Sequence, residues 1–503
     1  MRSGGVYLVF GEGISLEVGK RVWAAVRAIG ADPPDWLTDW IPGYNRIYLE
    51  FNLDKTGCRR VLNWARRRLA DAGGADEGPL VEVPVAYGGL DLPDVAARTG
   101  MSESEVVRLH SSATYHVYAV GFTPGFPFMA EVPEPLRLPR RATPRLRVPH
   151  LSVGVAGIQS GIYPQESPGG WNLLGRALVR VYDPHRSEPF LLAPGDRVKM
   201  VPTSGEVPPP PERLELLSAD GPPVLRVSEA GLLTLLVDGG RYRQGRYGLA
   251  RSGPLDGRSF ALANRLLGNP ADAPALELNG LPPVLEALRE VTVAVAGYGP
   301  SSDGRPQASS FTLRAGEVLR LRPGRWARSY LAIPGGFAAA SFAGSVSPDL
   351  KGVISRPLSG GDVLRARQAD LVRLERQWPL PPVSREGRVR LRLLPGPQAS
   401  TEAMEALTAA SFKVEKADRM GLRLSGGVPG GEVTSEAAPI GAVQVPPGGA
   451  PLLLLADRGT VGGYAKPAIV HPDDLWKAGQ LREGSEVEFV AATDSRVLCV
   501  HEL

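Results

Sequence analysis

Residues 120–176 read VGFTPGFPFMAEVPEPLRLPRRATPRLRVPHLSVGVAGIQSGIYPQESPGGWNLLGR, and this stretch decides the fold prediction. Proline fixes φ and glycine permits positive φ, so the backbone is constrained at many points. From Tyr115 onward the helical pattern nearly disappears, and short apolar or β-branched runs alternate with Gly and Pro turns. This pattern predicts a compact β-barrel or β-sandwich whose loops are formed by the quoted stretch.

The same stretch combines bulky aromatic side chains with concentrated positive charge. The aromatic residues are Phe122, Phe126, Phe128 and Trp171, and the cations are Arg140, Arg141, Arg145 and Arg147. A segment stiffened in this way can hold side chains in a fixed constellation. The alternative is a packed series of β-turns and short strands without chemistry of its own.

The chain on the N-terminal side of this stretch alternates strand and helix patterns. GVYLVFG and NRIYLEFN predict strands, EVGKRVWAAVRAIG predicts an amphipathic helix ending at Gly30, and residues 57–74 predict a second helix. The order predicts a small α+β domain over residues 1–84.

Residues 91–112 superficially resemble a DNA-binding helix-turn-helix. The second helix would carry Glu103 and Glu105 against a single Arg108, which is the wrong charge for a groove lined by phosphates. We therefore predict two structural helices and no nucleic-acid partner.

A proline-rich linker separates the domain that contains this stretch from the C-terminal part of the chain. We predict a β-barrel or β-sandwich domain over 85–203, the linker at 204–222, and two β-rich lobes over 223–385 and 386–503. Asp256 immediately precedes an apolar helical pattern that ends at Gly268, so its expected structural role is to cap that helix.

Composition excludes several classes of protein. The 503 residues are 43% hydrophobic and 22% charged with a net charge of +4, and acidic and basic residues are interspersed. This balance indicates a globular protein without a membrane or nucleic-acid footprint. Two distant cysteines and six scattered histidines predict no metal site and suit a cytoplasmic location.

Common catalytic signatures do not occur in the sequence. There is no GxxxxGK[ST] phosphate loop, no HExxH, no GxSxG nucleophile elbow and no AMKM-like biotin attachment sequence. Any catalytic site is therefore expected to use carboxylates, arginines, amides and hydroxyls.

Several long motifs nevertheless identify a family. GFTPGFPFM, PRRATPRLRVP, SVGVAGIQSGIYPQESPGGWNLLGR and PGDRV resemble the KipI-like family, also called allophanate hydrolase subunit 1 or the B-type subunit of 5-oxoprolinase. SGPLDGRSFALANRLLGN, ALELNG, IPGG, DRMGLRL and GAVQVPPGGAPLLLLADRGTVGGY are similar to the KipA-like family, also called allophanate hydrolase subunit 2 or the C-type subunit of 5-oxoprolinase. The chain thus resembles a fusion of two partner subunits.

The resemblance implies cyclophilin-like barrels, two halves packed as a heterodimer with a cleft between them, and a β-rich α+β fold class. It implies an ATP-dependent 5-oxoprolinase component that uses ATP with magnesium and needs a separate A-type subunit; a homo-oligomer is left open. One alternative is a carboxyltransferase acting on urea or a related amide with carboxybiotin, the only case that involves biotin. Another is a regulator that binds a sensor histidine kinase.

Position within the matching motifs gives the candidate residues. The predicted catalytic residues are Glu166, Gln159, Gln444 and Asp457. The predicted substrate- or nucleotide-binding residues are Arg141, Thr143, Arg145, Tyr163, Trp171, Ser252, Asp256, Glu277, Arg458 and Tyr464. The structural alternatives are turn-anchoring arginines, a helix cap at Asp256, and an Asp457–Arg458 pair that fixes a loop.

Two loops depart from the family pattern. Gly459 and Val461 replace a glutamine and a threonine of an ADRQTTGGY motif, and KGVISRPLSGG replaces a glycine-rich stretch after IPGG. If these loops hold substrate, activity or specificity has changed.

Overall fold

The computed structural model describes residues 2–70, 77–302, 304–368, 374–384 and 387–502. Successive β-rich units follow one another along the chain, and each surrounds a hydrophobic core. The predicted fold class, β-rich α+β with cyclophilin-like barrels and a small N-terminal α+β unit, is confirmed.

The N-terminal unit is a small sheet with two helices. Its elements are β1 (Ser3–Val9), α1 (Leu16–Ala31), β2 (Leu37–Pro42), β3 (Arg46–Asn52) and α2 (Cys58–Ala70). Helix α1 begins after Ser15, whose hydroxyl accepts a hydrogen bond from the Val18 amide. Residues 71–74 of the predicted second helix lie outside the described residues.

The second unit is a closed barrel of seven strands, in the order β11-β4-β12-β5-β6-β9-β8. Its elements are β4 (Leu80–Tyr87), α3 (Leu92–Thr99), α4 (Glu103–Ser112), β5 (Thr114–Val120), β6 (Pro127–Ala130), β7 (Arg145–Val148), β8 (Ser152–Ala156), β9 (Gln159–Ile162), β10 (Ser167–Gly169), β11 (Asn172–Ala177) and β12 (Arg197–Pro202). Strands β7 and β10 form a separate pair. Helices α3 and α4 bury Val95 and Val106 in the barrel's core, so both are packed against the barrel.

The third unit consists of two five-stranded sheets that share one core. Its elements are β13 (Pro223–Glu229), β14 (Leu233–Val237), α5 (Gly257–Leu266), β15 (Ala275–Asn279), β16 (Val284–Ala287), β17 (Val291–Gly297), β18 (Ser301–Ser302), β19 (Ala308–Leu313), β20 (Val318–Arg322), β21 (Arg328–Ala332) and β22 (Val363–Arg365). Residues 204–222, the predicted linker, are all described and contain no helix or strand, only isolated bridges.

The fourth unit is a second closed barrel. Its elements are β23 (Arg388–Pro395), α6 (Thr401–Ala409), β24 (Ser411–Ala417), β25 (Gly421–Leu424), β26 (Glu432–Ala437), β27 (Ala442–Val445), β28 (Leu452–Leu454), β29 (Val461–Val470), α7 (Leu475–Ala478) and β30 (Glu486–Ala491), and the chain then continues into β31 (Leu498–Glu502). Pairing of β23 with β29 closes the ring, and β26 pairs with β29 outside it.

The last described strand returns to the start of the chain. Strand β31 pairs in parallel with β1, from Gly5 opposite Leu498 to Val9 opposite Glu502. The predicted last lobe runs to residue 503, and its final strand thus lies in the N-terminal sheet. The two ends of the chain are joined in one sheet, which ties the two halves together. The domain boundaries themselves stay predictions.

Candidate functional site

The two halves of the chain meet through pairs of glycines and bulky neighbours. A Cβ added at Gly121 would lie 2.4 Å from side-chain atoms of Val461, and one added at Gly459 would lie 2.9 Å from the Phe122 carbonyl oxygen. Close approach of the two segments therefore requires glycine at both positions. Both departures from the family motif, Gly459 and Val461, lie on this contact.

Tyr163 and Trp171 belong to a buried aromatic cluster on the first-half side of the junction. Phe126 contacts both, with ring centroids 5.1 Å from Tyr163 and 5.6 Å from Trp171. Val461 of the second half is part of the same cluster. Burial raises the pKa of the Tyr163 phenol above its usual range, so it stays protonated. Both rings pack the junction.

Arg141 and Arg145 converge on a carboxylate that the sequence did not single out. Asp91 accepts a hydrogen bond from Nη1 of Arg141 at 2.8 Å and one from Nη1 of Arg145 at 2.9 Å. Its Oδ2 also accepts the Leu173 amide at 2.8 Å. Asp91 stands at the start of α3, where its sequence position reads as a helix cap, but its side chain makes no cap bond.

The other first-half candidates lie nearer the surface. Thr143 is exposed, and Gln159 begins β9 in a half-buried position. The Glu166 carboxylate is 3.7 Å from Nε of Arg147, and both side chains are mostly exposed. The structure does not bring these three residues into the Asp91 cluster or the aromatic cluster.

In the second half, Glu277 and Asp457 are held by one buried arginine, Arg419. Arg419 donates to Asp457 through Nε at 2.7 Å and Nη2 at 3.0 Å, and its Nη1 binds Glu277 Oε1. Arg328 adds a second cation, with its Nε 3.8 Å from Glu277 Oε1. Burial alone would raise the pKa of Glu277, but the Arg419 and Arg328 charges outweigh it and lower the pKa. Arg419 lies in the DRMGLRL motif, yet sequence reasoning passed over it.

Asp256 caps helix α5, as its sequence position predicts. Its Oδ1 accepts the amides of Arg258 and Ser259, at 3.0 and 2.9 Å. Its Oδ2 accepts the Ser259 hydroxyl at 2.6 Å and Nε2 of Gln480 at 2.7 Å. Burial raises the pKa of this carboxyl. These bonds fix the Asp256 carboxylate at the start of α5, and its predicted binding role stays a prediction.

A cavity of about 540 Å³ lies where the N-terminal sheet meets the third and fourth units. Its walls come from β1, β3, one face of α5, the end of β29, α7 and β31, so both halves of the chain enclose it. Four arginines and two carboxylates line it, namely Arg2, Arg251, Arg258, Arg265, Glu50 and Asp473. Most other lining residues are apolar, and a concave, largely apolar cavity with a few charged groups is typical of small-molecule sites.

Ser252 is the one candidate residue that lines this cavity. It is 2% exposed, has φ of 55°, and its hydroxyl has no hydrogen-bond partner among the described residues. A non-glycine residue in this left-handed region is uncommon. Its neighbour Arg251 forms a buried ion pair with Glu50 of β3 across the junction of the halves.

Arg458, Gln444 and Tyr464 lie along the second-half face of the junction. Arg458 is 4% exposed and donates through Nε to the Ala438 carbonyl; burial lowers its pKa. Gln444 is nearly buried on β27, with Nε2 3.0 Å from the point where a Gly462 Cβ would lie. Tyr464 is half-buried on β29.

A buried lysine next to these residues was missed. Lys466 has no exposed surface, and its Nζ lies 3.0 Å from Glu436 Oε1. Arg46 of the N-terminal sheet contacts Glu436 Oε2 at 2.7 Å, so this carboxylate joins the two halves. Burial lowers the pKa of Lys466. The lysine follows the recognised GGY motif by two residues, which is the signal that could have found it.

The candidates therefore divide into separate groups. Ser252, Asp256, Glu277 and Asp457 belong to one hydrogen-bonded region of which Ser252 lines the cavity, because Arg419 also donates to the Gly253 carbonyl at 2.7 Å and the Leu255 amide donates to Glu277 at 3.0 Å. Within the described ranges, no group of three His, Cys, Asp or Glu residues is arranged to hold a metal ion. No helix in the described part of the chain is long and apolar enough to cross a membrane.

Comparison with known proteins matches both halves separately. Residues 2–192 match the carboxyltransferase domain, subdomain C and D, and residues 247–491 match the carboxyltransferase domain, subdomain A and B. The chain is 42% identical to the 5-oxoprolinase B-type subunit of Escherichia coli O157:H7, over 38% of this chain and 88% of that protein. It is 32% identical to the 5-oxoprolinase C-type subunit of Escherichia coli K12, over 53% of this chain and 91% of that protein.

Solved structures agree with these matches. The crystal structure of TTHA0988 is 51% identical, with a TM-score of 0.92 over 97% of this chain and 100% of that one. The Kluyveromyces lactis urea amidolyase is 28% identical, with a TM-score of 0.50 over 55% of this chain and 19% of that one.

Proposed function

Because this chain belongs to the carboxyltransferase-domain family that includes the B-type and C-type subunits of 5-oxoprolinase, we propose that it is the fused B and C component of an ATP-dependent 5-oxoprolinase. Together with a separate A-type subunit, it activates the amide of 5-oxoproline for ring opening to glutamate.

One observation carries the proposal. Two modules that occur as separate subunits in the relatives are here one chain, and they enclose a shared cavity. Strand β31, at the end of the second module, completes the sheet of the first, which supports a permanently assembled pair.

Activation of an amide requires positive charge close to its oxygen. An unactivated amide carbonyl is a poor electrophile, and activation through a phosphorylated or carboxylated intermediate places negative charge on oxygen. Arginine side chains and backbone N–H groups stabilise such an oxygen when they are fixed in place beforehand. This chain supplies cavity arginines for that purpose, while ATP with magnesium supplies the phosphoryl group. Gln159, Glu166, Gln444 and Asp457 remain the proposed catalytic residues.

Reconstitution tests the proposal. The purified chain is mixed with a cognate A-type subunit, ATP and magnesium, and ADP and glutamate are measured with and without 5-oxoproline. We expect both products only when all components and 5-oxoproline are present. Release of ADP with urea or another amide, and none with 5-oxoproline, would contradict the assignment.

The matched domain models favour a second candidate, carboxyl transfer from carboxybiotin to urea or a related amide. This candidate predicts transfer of labelled carboxyl from a carboxylated biotin carrier protein to the amide. Regulation of a sensor histidine kinase predicts instead co-purification with such a kinase and loss of its autophosphorylation.

A further inference from the structure

We propose that the junction cavity binds the carboxylate of a small cyclic amide, and that Ser252, Arg258 and Arg265 recognise it. The inference rests on the proposed function and adds to it a place for the substrate.

The first observation is the state of Ser252. Its hydroxyl is buried, lines the cavity and has no partner in the described part of the chain. Buried hydroxyls normally make a hydrogen bond, so the unpaired Ser252 hydroxyl leaves one hydrogen bond open to a molecule in the cavity. The Ser252 amide donates to the Ala456 carbonyl at 3.2 Å, which holds the residue in its left-handed conformation.

The second observation is unbalanced positive charge on one face of α5. Arg258 and Arg265 stand seven positions apart, with Ala261 between them, and all three line the cavity. Residues spaced in this way share a helix face. Both arginines are exposed at the mouth of the cavity, and neither forms an ion pair with a carboxylate among the residues that the structure describes.

The other two cavity arginines are already neutralised. Arg2 lies 2.6 Å from Asp54, and Arg251 is paired with Glu50. Arg258 stacks over the Trp476 ring at 5.3 Å, which holds its guanidinium at the cavity wall. The α5 amides of the first turn are bonded to Asp256, so arginine side chains rather than the helix terminus provide the charge.

The rest of the cavity fits the ring of such a molecule. Its wall includes Leu255, Leu455, Ile469, Val470 and Trp476. Two guanidiniums without a carboxylate partner among the described residues suit one carboxylate through charge-assisted hydrogen bonds, and the apolar wall suits a small ring. A polyphosphate would leave most of this apolar wall without a matching surface.

Isothermal titration of the full chain tests the inference with matched ligands. 5-Oxoproline carries both lactam and carboxylate, 2-pyrrolidinone carries only the lactam, and inorganic phosphate is a different anion. We expect 5-oxoproline to bind at least about tenfold more tightly than 2-pyrrolidinone. Tighter binding of phosphate that displaces 5-oxoproline would overturn the carboxylate assignment.

Variants locate the site. Arg258→Gln and Arg265→Gln should each weaken 5-oxoproline by about tenfold and leave 2-pyrrolidinone unchanged. Ser252→Gly removes the hydroxyl but permits the same φ, so its effect on affinity is separable from backbone strain. Arg314→Gln, at an exposed arginine outside the cavity, is the matched control and should bind like the wild type.

The two proposals fail differently. Wild-type affinity in all three cavity variants, alongside 5-oxoproline-dependent ADP release in the reconstituted system, overturns the cavity site and leaves the proposed function standing. Weakened binding in the variants without any 5-oxoproline-dependent ADP release supports the cavity site and overturns the function.

Discussion

Replacing Arg419 by methionine should destabilise the protein more than any surface charge change. The substitution keeps an unbranched side chain but removes the cation shared by Glu277 and Asp457. Glu277 has no exposed surface and Arg419 is 5% exposed, so water cannot replace the lost partner. Removing one member of a buried ion pair costs about 3–5 kcal/mol, because it leaves the other charge uncompensated.

Urea unfolding of the full chain measures this effect. We expect the free energy of unfolding to fall by about 3–5 kcal/mol in Arg419→Met. Arg388→Met is the matched control, because Arg388 is 54% exposed and pairs with Glu486 and Glu488 at the surface. The control should leave the stability close to that of the wild type, because solvent screens an exposed ion pair.

A double substitution and a pH series test whether the unpaired Glu277 carboxylate causes this loss of stability. Adding Glu277→Gln to Arg419→Met should recover about 0.5–3 kcal/mol relative to the sum of the single effects. The wild-type pKa of Glu277 is lowered, so its contribution is present above its unfolded pKa and is lost as the pH falls through its folded pKa. Without Arg419 the burial effect dominates, and the deficit of the variant should shrink from pH 7 toward pH 4. A loss below about 1 kcal/mol, or a deficit independent of pH, would refute the reasoning.

Three further outcomes are expected. Gly121→Ala forces a Cβ to within 2.4 Å of Val461 Cβ and should cost about 1–3 kcal/mol, measured by urea unfolding. Val461→Gly, which removes that Cβ, should relieve part of the cost in the same chain, and additive costs would show that the contact is absent. Glu166→Gln or Gln444→Ala should lower 5-oxoproline-dependent turnover about a hundredfold, with a melting temperature within about 2 °C of wild type; matching losses of folding and turnover would assign them a structural role. Burial lowers the pKa of His110 to about 3, so stability should fall below the unfolded pKa of about 6.5, by about 2 kcal/mol at pH 5. In His110→Gln this acid sensitivity of the urea midpoint should disappear. A wild-type midpoint that is the same at pH 7 and pH 5 would contradict the lowered pKa of His110.

Local features of the fold could be predicted from the sequence, because their causes are local. The Asp256 cap is specified by a carboxylate directly before an apolar helical pattern, and the two backbone amides that it accepts lie two and three residues onward. The barrel of the first half could likewise be predicted from short apolar runs between Gly and Pro turns.

Partners far apart in the chain could not be predicted in the same way. Arg419 and Glu277 are 142 positions apart, and no local pattern states that they meet. Asp91 was missed for a related reason: a short acidic residue before a helix satisfies the expected cap, so nothing pointed to Arg141 and Arg145 as its true partners. The pattern of β31 is that of an ordinary strand, and a strand pattern does not identify which sheet it joins.

The return of β31 to β1 also gives a physical reason for joining both modules in one chain. The cavity takes its walls from β1 and β3 on one side and from α5, β29 and α7 on the other, with β31 crossing between them. Either half alone would leave the cavity open to solvent and would leave the Glu50–Arg251 pair without one member. A covalent link keeps the two walls at a high effective concentration, so the cavity persists at protein concentrations where separate halves would dissociate. The fused chain should therefore bind 5-oxoproline with an affinity that does not change on dilution, whereas a chain cut within 204–222 and then diluted should lose it.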